Sequence, residues 1–168
     1  MNHLETIKNK IQTTPKVINT LQQWQAEKCK IVFTNGCFDI IHLGHVDYLA
    51  KAAGFGDKLV IGVNTDASTS RIKGPSRPIN DQVSRAMILA SFAFVSMVVL
   101  FDEPTPYELI KLVQPDVLIK GADYKIEDIV GYDIVKAKGG TILTIDYLPG
   151  YSTSGIEQRI LYNNKSHL

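Results

Sequence analysis

Two histidines three residues apart, His42 and His45, follow the segment Asn35-Gly-Cys-Phe-Asp39. At the start of a helix this spacing puts both imidazoles on one face. A helix N-terminus presents unpaired N–H groups and the positive end of a dipole. The pair would therefore suit phosphate oxygens. Gly36 permits close backbone approach to a ligand, and Gly44 leaves room for a nucleotide against the helix. Two histidines on one face also suit a metal. H-x-x-H without a third ligand is a weak zinc pattern, however, and none with metal spacing stands nearby. Spacing alone leaves both readings open.

Three further segments carry polar chemistry. Arg71, Lys73 and Arg77 fall within seven residues of a stretch containing Gly74, Pro75 and Pro78. Such a run is either a solvated loop or a clamp for a triphosphate, whose transfer chemistry depends on positioning and charge neutralisation. Asp66 precedes it, at the expected end of a strand, where it could accept hydrogen bonds from substrate hydroxyls. Lys120-Gly-Ala-Asp123 follows another strand. Ser152-Thr-Ser154 places hydroxyls at the start of a last helix, where N-capping and phosphate binding are compatible. Arg85 fits a structural ion pair as well as a site role.

Gly36-Cys-Phe-Asp39 with His42-Leu-Gly-His45 resembles the G-x-F-D-x-x-H-x-G-H signature of the cytidylyltransferase-like nucleotidyltransferases. The segment from Tyr151 to Arg159 resembles that family's I-S-S/T-T-x-I-x-x-R motif. A wider set of strings is similar to the adenylyltransferase domain of bifunctional ADP-heptose synthases: NGCFDIIHLGHVDYLAKAAGFGDKLVIGVNTDAS, RIKGPSRPIN, PDVLIKGADY and STSGIEQRI. The resemblance spans about residues 30–162. It implies adenylyl transfer from ATP to D-glycero-β-D-manno-heptose 1-phosphate, giving ADP-heptose and pyrophosphate for the lipopolysaccharide core.

The same resemblance implies site roles. His42, His45 and Lys73 would stabilise charge in the transition state. Asn35, Gly36, Cys37, Phe38, Gly44, Lys120, Gly121, Ser152, Thr153 and Ser154 would hold the nucleotide. Asp39, Asp66, Arg77 and Asp123 would meet the sugar phosphate. Where relatives often carry Thr or Ser, this chain has Cys37, a poorer hydrogen-bond donor, so the contact there would pass to the backbone N–H. Mg²⁺ would be bound mainly through ATP phosphates, with no dedicated protein metal site. A homo-oligomer is expected. With no room for a sugar kinase, the chain would be a stand-alone version of the domain. Within the family, glycerol-3-phosphate cytidylyltransferase-like and FAD-synthetase-like enzymes are the alternatives, and outside it a non-catalytic nucleotide-binding module. Neither G-x-G-x-x-G after a strand nor a Walker sequence is present, which disfavours dinucleotide binding and P-loop kinases.

These residues need elements to position them. Apolar runs at 30–34, 58–64, 95–101, 116–120 and 141–145 are continuous rather than alternating, the pattern of strands buried on both faces. Helical segments at 43–53, 81–94, 106–113, up to 138, and 154–161 alternate with them. The expected fold is an α/β, Rossmann-like, doubly wound parallel sheet of about five strands in a single domain. Ligands then belong at the carboxyl ends of the strands, where every cluster above falls. Residues 65–80 read as a polar loop, 1–29 as an N-terminal helical extension without assigned chemistry, and 163–168 as a C-terminal tail.

Bulk properties fit a small-molecule enzyme. The chain has 168 residues, 45% hydrophobic and 21% charged, enough for one sizeable core. A net charge of +1 argues against nucleic acid or an anionic membrane surface as partner. Two cysteines and no secretory signal lead to the expectation of a reducing, cytoplasmic setting.

Overall fold

The computed structural model describes residues 2–165, with side chains through residue 163. The opening methionine and the end of the expected tail, 166–168, lie outside the described residues. Five strands arise from the apolar runs: β2 (Ile31–Gly36), β3 (Lys58–Asn64), β4 (Met97–Phe101), β5 (Val117–Gly121) and β6 (Thr141–Ile145). A sixth, β1 (Ile11–Gln12), adds to the edge. The order across the sheet is β1-β4-β3-β2-β5-β6, and every pair is parallel.

Successive strand residues feed opposite faces, which is why the runs must be apolar throughout. Phe33, Val60, Val99 and Leu118 pack on one face with Val17, Leu21 and Trp24 of helix α2 (Thr14–Ala26) and with Ile110 and Val113 of α6 (Tyr107–Val113). Val32, Ile61, Val98 and Ile119 pack on the other with Leu49 and Ala52 of α3 (Leu43–Ala53) and Ala86 and Leu89 of α5 (Gln82–Ser91). Each fully buried Val, Leu or Ile contributes about 1.5–3 kcal/mol of apolar transfer. α7 (Tyr132–Ala137) and a 3-10 turn (Ile126–Asp128) lie between β5 and β6, and α8 (Thr153–Lys165) follows β6.

From β2 the chain winds outward through β3 to β4, then returns to the other side of β2 for β5 and β6. The crevice between β2 and β5 is therefore the topological switch point, where doubly wound sheets bind ligands.

Two elements depart from the sequence expectation. The sheet has six strands, not about five. The extra one lies inside the segment expected to be helical, flanked by α1 (His3–Lys10) and α2. β1 is two residues long, registered as Ile11 on Val98 and Gln12 on Val99. A strand this short leaves no periodic trace.

The second departure is α4 (Asp66–Lys73), in the stretch expected to be loop. Only Ile72 among its residues is large and apolar, and it is 54% exposed. Its ends form the helix. Thr65 accepts from the Ser68 N–H as N-cap, Asp66 sits in the first turn, Arg71 and Lys73 in the last, and Gly74 stops it at φ 99°.

Candidate active site

The turn from β2 into α3 carries the histidines. His42 is the N-cap of α3, and its carbonyl accepts from the N–H groups of His45 (2.9 Å) and Val46 (3.2 Å). The two rings lie on one face with centroids 3.9 Å apart. Phe38, at φ 49°, stands edge-on to His45 at 5.6 Å. A Cβ at Gly44 would come within 3.1 Å of the His42 ring and 3.2 Å of Tyr151 Cβ, so glycine keeps that face of the helix open.

Burial lowers the pKa of both imidazoles. For His45, burial together with the nearby charges of His42 and Lys73 pushes it down to about 4. Both rings are thus neutral near pH 7. His42 Nδ1, His45 Nδ1 and Asn35 Oδ1 are buried without a protein hydrogen-bond partner among the described residues.

These groups line a cavity of about 670 Å³ over the switch point. The end of β2 and the turn after it supply Asn35 to Phe38, the N-cap and first turn of α3 supply His42, Gly44 and His45, and α4 supplies Lys73. β5 and its following loop supply Lys120, Gly121, Asp123 and Tyr124, while Ser152 and Thr153 come from the start of α8. Tyr48 also lines the cavity, and its Oη shares a 2.8 Å hydrogen bond with Thr34 Oγ1 and donates to the Ile119 carbonyl at 3.2 Å, tying α3, β2 and β5 together. Burial raises that phenol to about 12.

The cations divide by residue type. Arg77 is ion-paired to Asp39 (2.7 Å) and to Glu157, and Arg85 to Asp66 (2.8 Å). Lys73 and Lys120 take part in no ion pair among the described residues. The arginines are committed to the scaffold, and the lysines face the cavity with their charge available.

A cytidylyltransferase-like family model matches residues 33–159, from β2 to the second turn of α8. The chain belongs to the cytidylyltransferase-like family. Bifunctional protein HldE of Campylobacter curvus is 53% identical over 90% of this chain and 31% of its own length. HldE of Nitratiruptor is 56% identical over 78% of this chain and 28% of its own. The chain thus spans about a third of the length of the curated relatives it matches. A lipopolysaccharide core biosynthesis protein from Thermoplasma volcanium superposes with a TM-score of 0.59 at 31% identity, over 71% of this chain and 97% of that one. A pantoate-beta-alanine ligase from Francisella tularensis shares the fold, with a TM-score of 0.61 at 15% identity over 88% of this chain and 75% of that one.

Within this family frame, the expected site residues fall into two groups. His42, His45, Lys73, Asn35, Gly36, Cys37, Phe38, Gly44, Lys120, Gly121, Asp123, Ser152 and Thr153 meet at one cavity. Asp39, Asp66, Arg77 and Ser154 are not among its lining residues. Asp39 is 2% exposed and accepts from the backbone N–H groups of Ile79 (2.8 Å) and Asn80 (2.9 Å), besides pairing with Arg77. With these bonds the folded Asp39 carboxyl sits below its usual pKa, although burial works the other way. Asp39 and Arg77 thereby fasten the loop after α4 to the turn that carries the histidines. Asp66 and the fully buried Arg85 do the same for the start of α4, since Arg85 also donates to the carbonyls of Asn80 (3.0 Å) and Cys37.

Sequence reading passed over Asn64, Pro104, Thr105, Tyr147 and Tyr151, which also line the cavity. Asn64, Pro104-Thr105 and Tyr147 sit at or just after the carboxyl ends of β3, β4 and β6. The strand-end rule that located the other clusters was the signal available for them.

Proposed function

We propose that this chain is an adenylyltransferase that joins ATP and D-glycero-β-D-manno-heptose 1-phosphate into ADP-heptose, releasing pyrophosphate. The observation that carries the reading is the placement of His42 and His45 at the start of α3 over the switch point, with Lys73 from the end of α4 and Ser152 and Thr153 on the same cavity. Support for the product comes from the HldE relatives and from the Thermoplasma protein named for lipopolysaccharide core biosynthesis. In this reading residues 30–162 carry the transferase and residues 1–29 complete the sheet edge.

The triphosphate lies along the start of α3. An oxygen of the sugar 1-phosphate attacks the α-phosphorus in line, the bond to the β-phosphate oxygen breaks, and pyrophosphate leaves. A sugar phosphate is already ionised at pH 7, so no general base is required. Each neutral imidazole offers one N–H to a phosphate oxygen, and an anion beside it favours proton uptake. Lys73 adds a fixed positive charge, and Ser152 and Thr153 add hydroxyl donors where the α8 dipole is positive. Asn35, Gly36, Cys37 and Phe38 present backbone and side chain to the nucleotide.

The cavity wall offers imidazole, ammonium and hydroxyl groups and the carboxylate of Asp123. Among the described residues no three His, Cys, Asp or Glu side chains gather into a metal-binding group. Mg²⁺ would enter this cavity as a companion of the triphosphate, carried mainly by phosphate oxygens and water, and would neutralise charge on the leaving group. No helix among the described residues is long and apolar enough to cross a membrane. A cytoplasmic homo-oligomer acting on small anions, without nucleic acid, completes the proposal.

Pyrophosphate release tests it, with ATP, CTP, GTP and UTP each paired against a panel of sugar and polyol phosphates. The expected result is turnover confined to ATP with heptose 1-phosphate. Equal or better turnover of CTP with glycerol 3-phosphate would reassign the chain to a cytidylyltransferase.

A further inference from the structure

We propose that Lys120 grips the phosphate of the incoming acceptor, and that the wall around it selects a phosphorylated polyol. This rests on the transferase reading above and extends it to a specific subsite.

The strand order places the two unpaired lysines on opposite sides of the histidines. Lys73 leaves β3 through α4, Lys120 ends β5, and β2 with its histidine-bearing turn runs between them. In-line transfer needs its leaving group and nucleophile on opposite sides of the α-phosphorus. One cation should therefore meet the pyrophosphate and the other the attacking phosphate. Lys73 is close enough to His45 to depress its basicity, so it shares the triphosphate with the histidines. Lys120 stands instead near the end of β5, on the other side of β2 and near Asp123, which makes it a separate centre.

Lys120 is also held for such a task. Its Nζ donates to the Asn35 carbonyl at 3.3 Å and lies 5.3 Å from the Tyr124 ring centroid. Those contacts leave ammonium protons for an anion, and no protein carboxylate pairs with it among the described residues. A partly buried ammonium with no carboxylate in direct contact is costly in a structure, nearby Asp123 offsets that only in part, and a substrate anion relieves the rest. Burial alone draws its pKa down to about 8, so at pH 7 it remains mostly charged.

The neighbours indicate what is attached to the phosphate. Asp123 accepts from Tyr147 Oη at 3.0 Å, leaving its other oxygen for a hydroxyl. Tyr124 and Tyr147 are 47% and 55% exposed and line the same cavity, offering apolar ring faces to the C–H edges of a sugar. A Cβ at Gly121 would collide with the Tyr147 hydroxyl, so glycine lets Tyr147 stand over the end of β5.

The experiment is calorimetric titration in Mg²⁺, first with α,β-methylene-ATP. The protein saturated with that analogue is then titrated with inorganic phosphate and with heptose 1-phosphate. Occupying the triphosphate positions leaves only the acceptor subsite for the second anion. Lys120→Gln and Lys120→Met are compared with wild type, with Lys120→Arg as a charge-retaining variant should both neutral ones fail to fold. Expected is a loss of about 10- to 100-fold in affinity for both second ligands in the neutral variants, the size of a lost charge-assisted hydrogen bond. Affinity for α,β-methylene-ATP should change less than about 3-fold, and Lys120→Arg should restore part of the loss. A fall in analogue affinity with unchanged phosphate affinity would assign Lys120 to the nucleotide and overturn the proposal. No change in either would make Lys120 structural and overturn it too. Wild-type protein that does not bind the analogue would instead refute the transferase reading itself, and this subsite with it.

Discussion

The imidazole rings of His42 and His45 lie 3.9 Å apart and tilted by 32°, with Phe38 against the outer edge of His45. Two neutral rings at that separation present a double donor surface to one phosphate group. Donors aimed at charge that develops in the transition state act on kcat more than on KM. His42→Ala and His45→Ala should each lower kcat by about 10²–10³ with small changes in KM for ATP. Steady-state kinetics beside circular dichroism checks this. Near-normal kcat in both folded variants would make the pair structural.

Protonation gives the same pair a second signature. His45 titrates near 4 in the folded protein and near the ordinary value of about 6.5 when unfolded. The unfolded chain therefore binds a proton first as pH falls. His45 contributes stability fully above pH 6.5 and loses it progressively between about 6.5 and 4. Calorimetry from pH 7 to 4.5 should show Tm falling more steeply in wild type than in His45→Asn. ATP binding near pH 6 should take up protons, visible as a dependence of binding enthalpy on buffer ionisation. Parallel Tm profiles would show that His45 is not depressed.

Arg85 makes a prediction about stability rather than chemistry. Its side chain is fully buried and joins Asp66, Asn80 and Cys37. Removing one partner of a buried ion pair typically costs about 3–5 kcal/mol. Because the Asp66 side chain is 41% exposed, the lower end applies. Arg85→Met should lower Tm by about 6–12 °C, taking about 2–4 °C per kcal/mol for a domain of this size. Asp66→Asn should cost less, since Arg85 keeps its two carbonyl partners. Thermal melts of both variants decide it, and an unchanged melt for Arg85→Met would refute the scaffold role.

Legibility in the sequence followed the physical range of each signal. The five longer strands announce themselves because burial on two faces forces continuous apolar runs, as in Ile31 to Phe33 and Leu59 to Val63. β1 is silent because its place depends on pairing with β4, some 87 positions away in register. α4 escapes a hydrophobic pattern because Thr65, Asp66, Lys73 and Gly74 define it through end effects. The histidines are legible because their spacing is local. The strand-end rule could mark Tyr147 and Thr105 as candidates, but that they share a cavity with the histidines follows from strand order, which no local pattern encodes. The partners of Asp39 and Asp66 were hidden for the same reason, since Arg77 and Arg85 reach them across the fold.

Lys73 separates catalytic from structural loss most clearly. It is exposed at the last position of α4, where a cation gains about 0.3–1 kcal/mol from the helix dipole. It has no ion-pair partner among the described residues, so Lys73→Ala should shift Tm by no more than about 4 °C. The helix itself should persist, because Thr65 caps one end and Arg71 bonds to Asp102 from the last turn. The charge matters once the triphosphate lies beside His45. Lys73→Ala should therefore lower kcat/KM for ATP by about 10² or more. Lys73→Arg should recover only part, because a planar guanidinium fork does not reproduce a compact ammonium. Progress curves of pyrophosphate release for the three proteins, beside their melts, provide the check. A Lys73→Ala enzyme with wild-type ATP dependence would leave Lys73 an ordinary solvated helix end. The remaining positive charge over the triphosphate would then have to come from the histidines on proton uptake, from Mg²⁺ and from the α3 and α8 N-termini, because Arg71 and Arg77 are already committed to Asp102, Asp39 and Glu157.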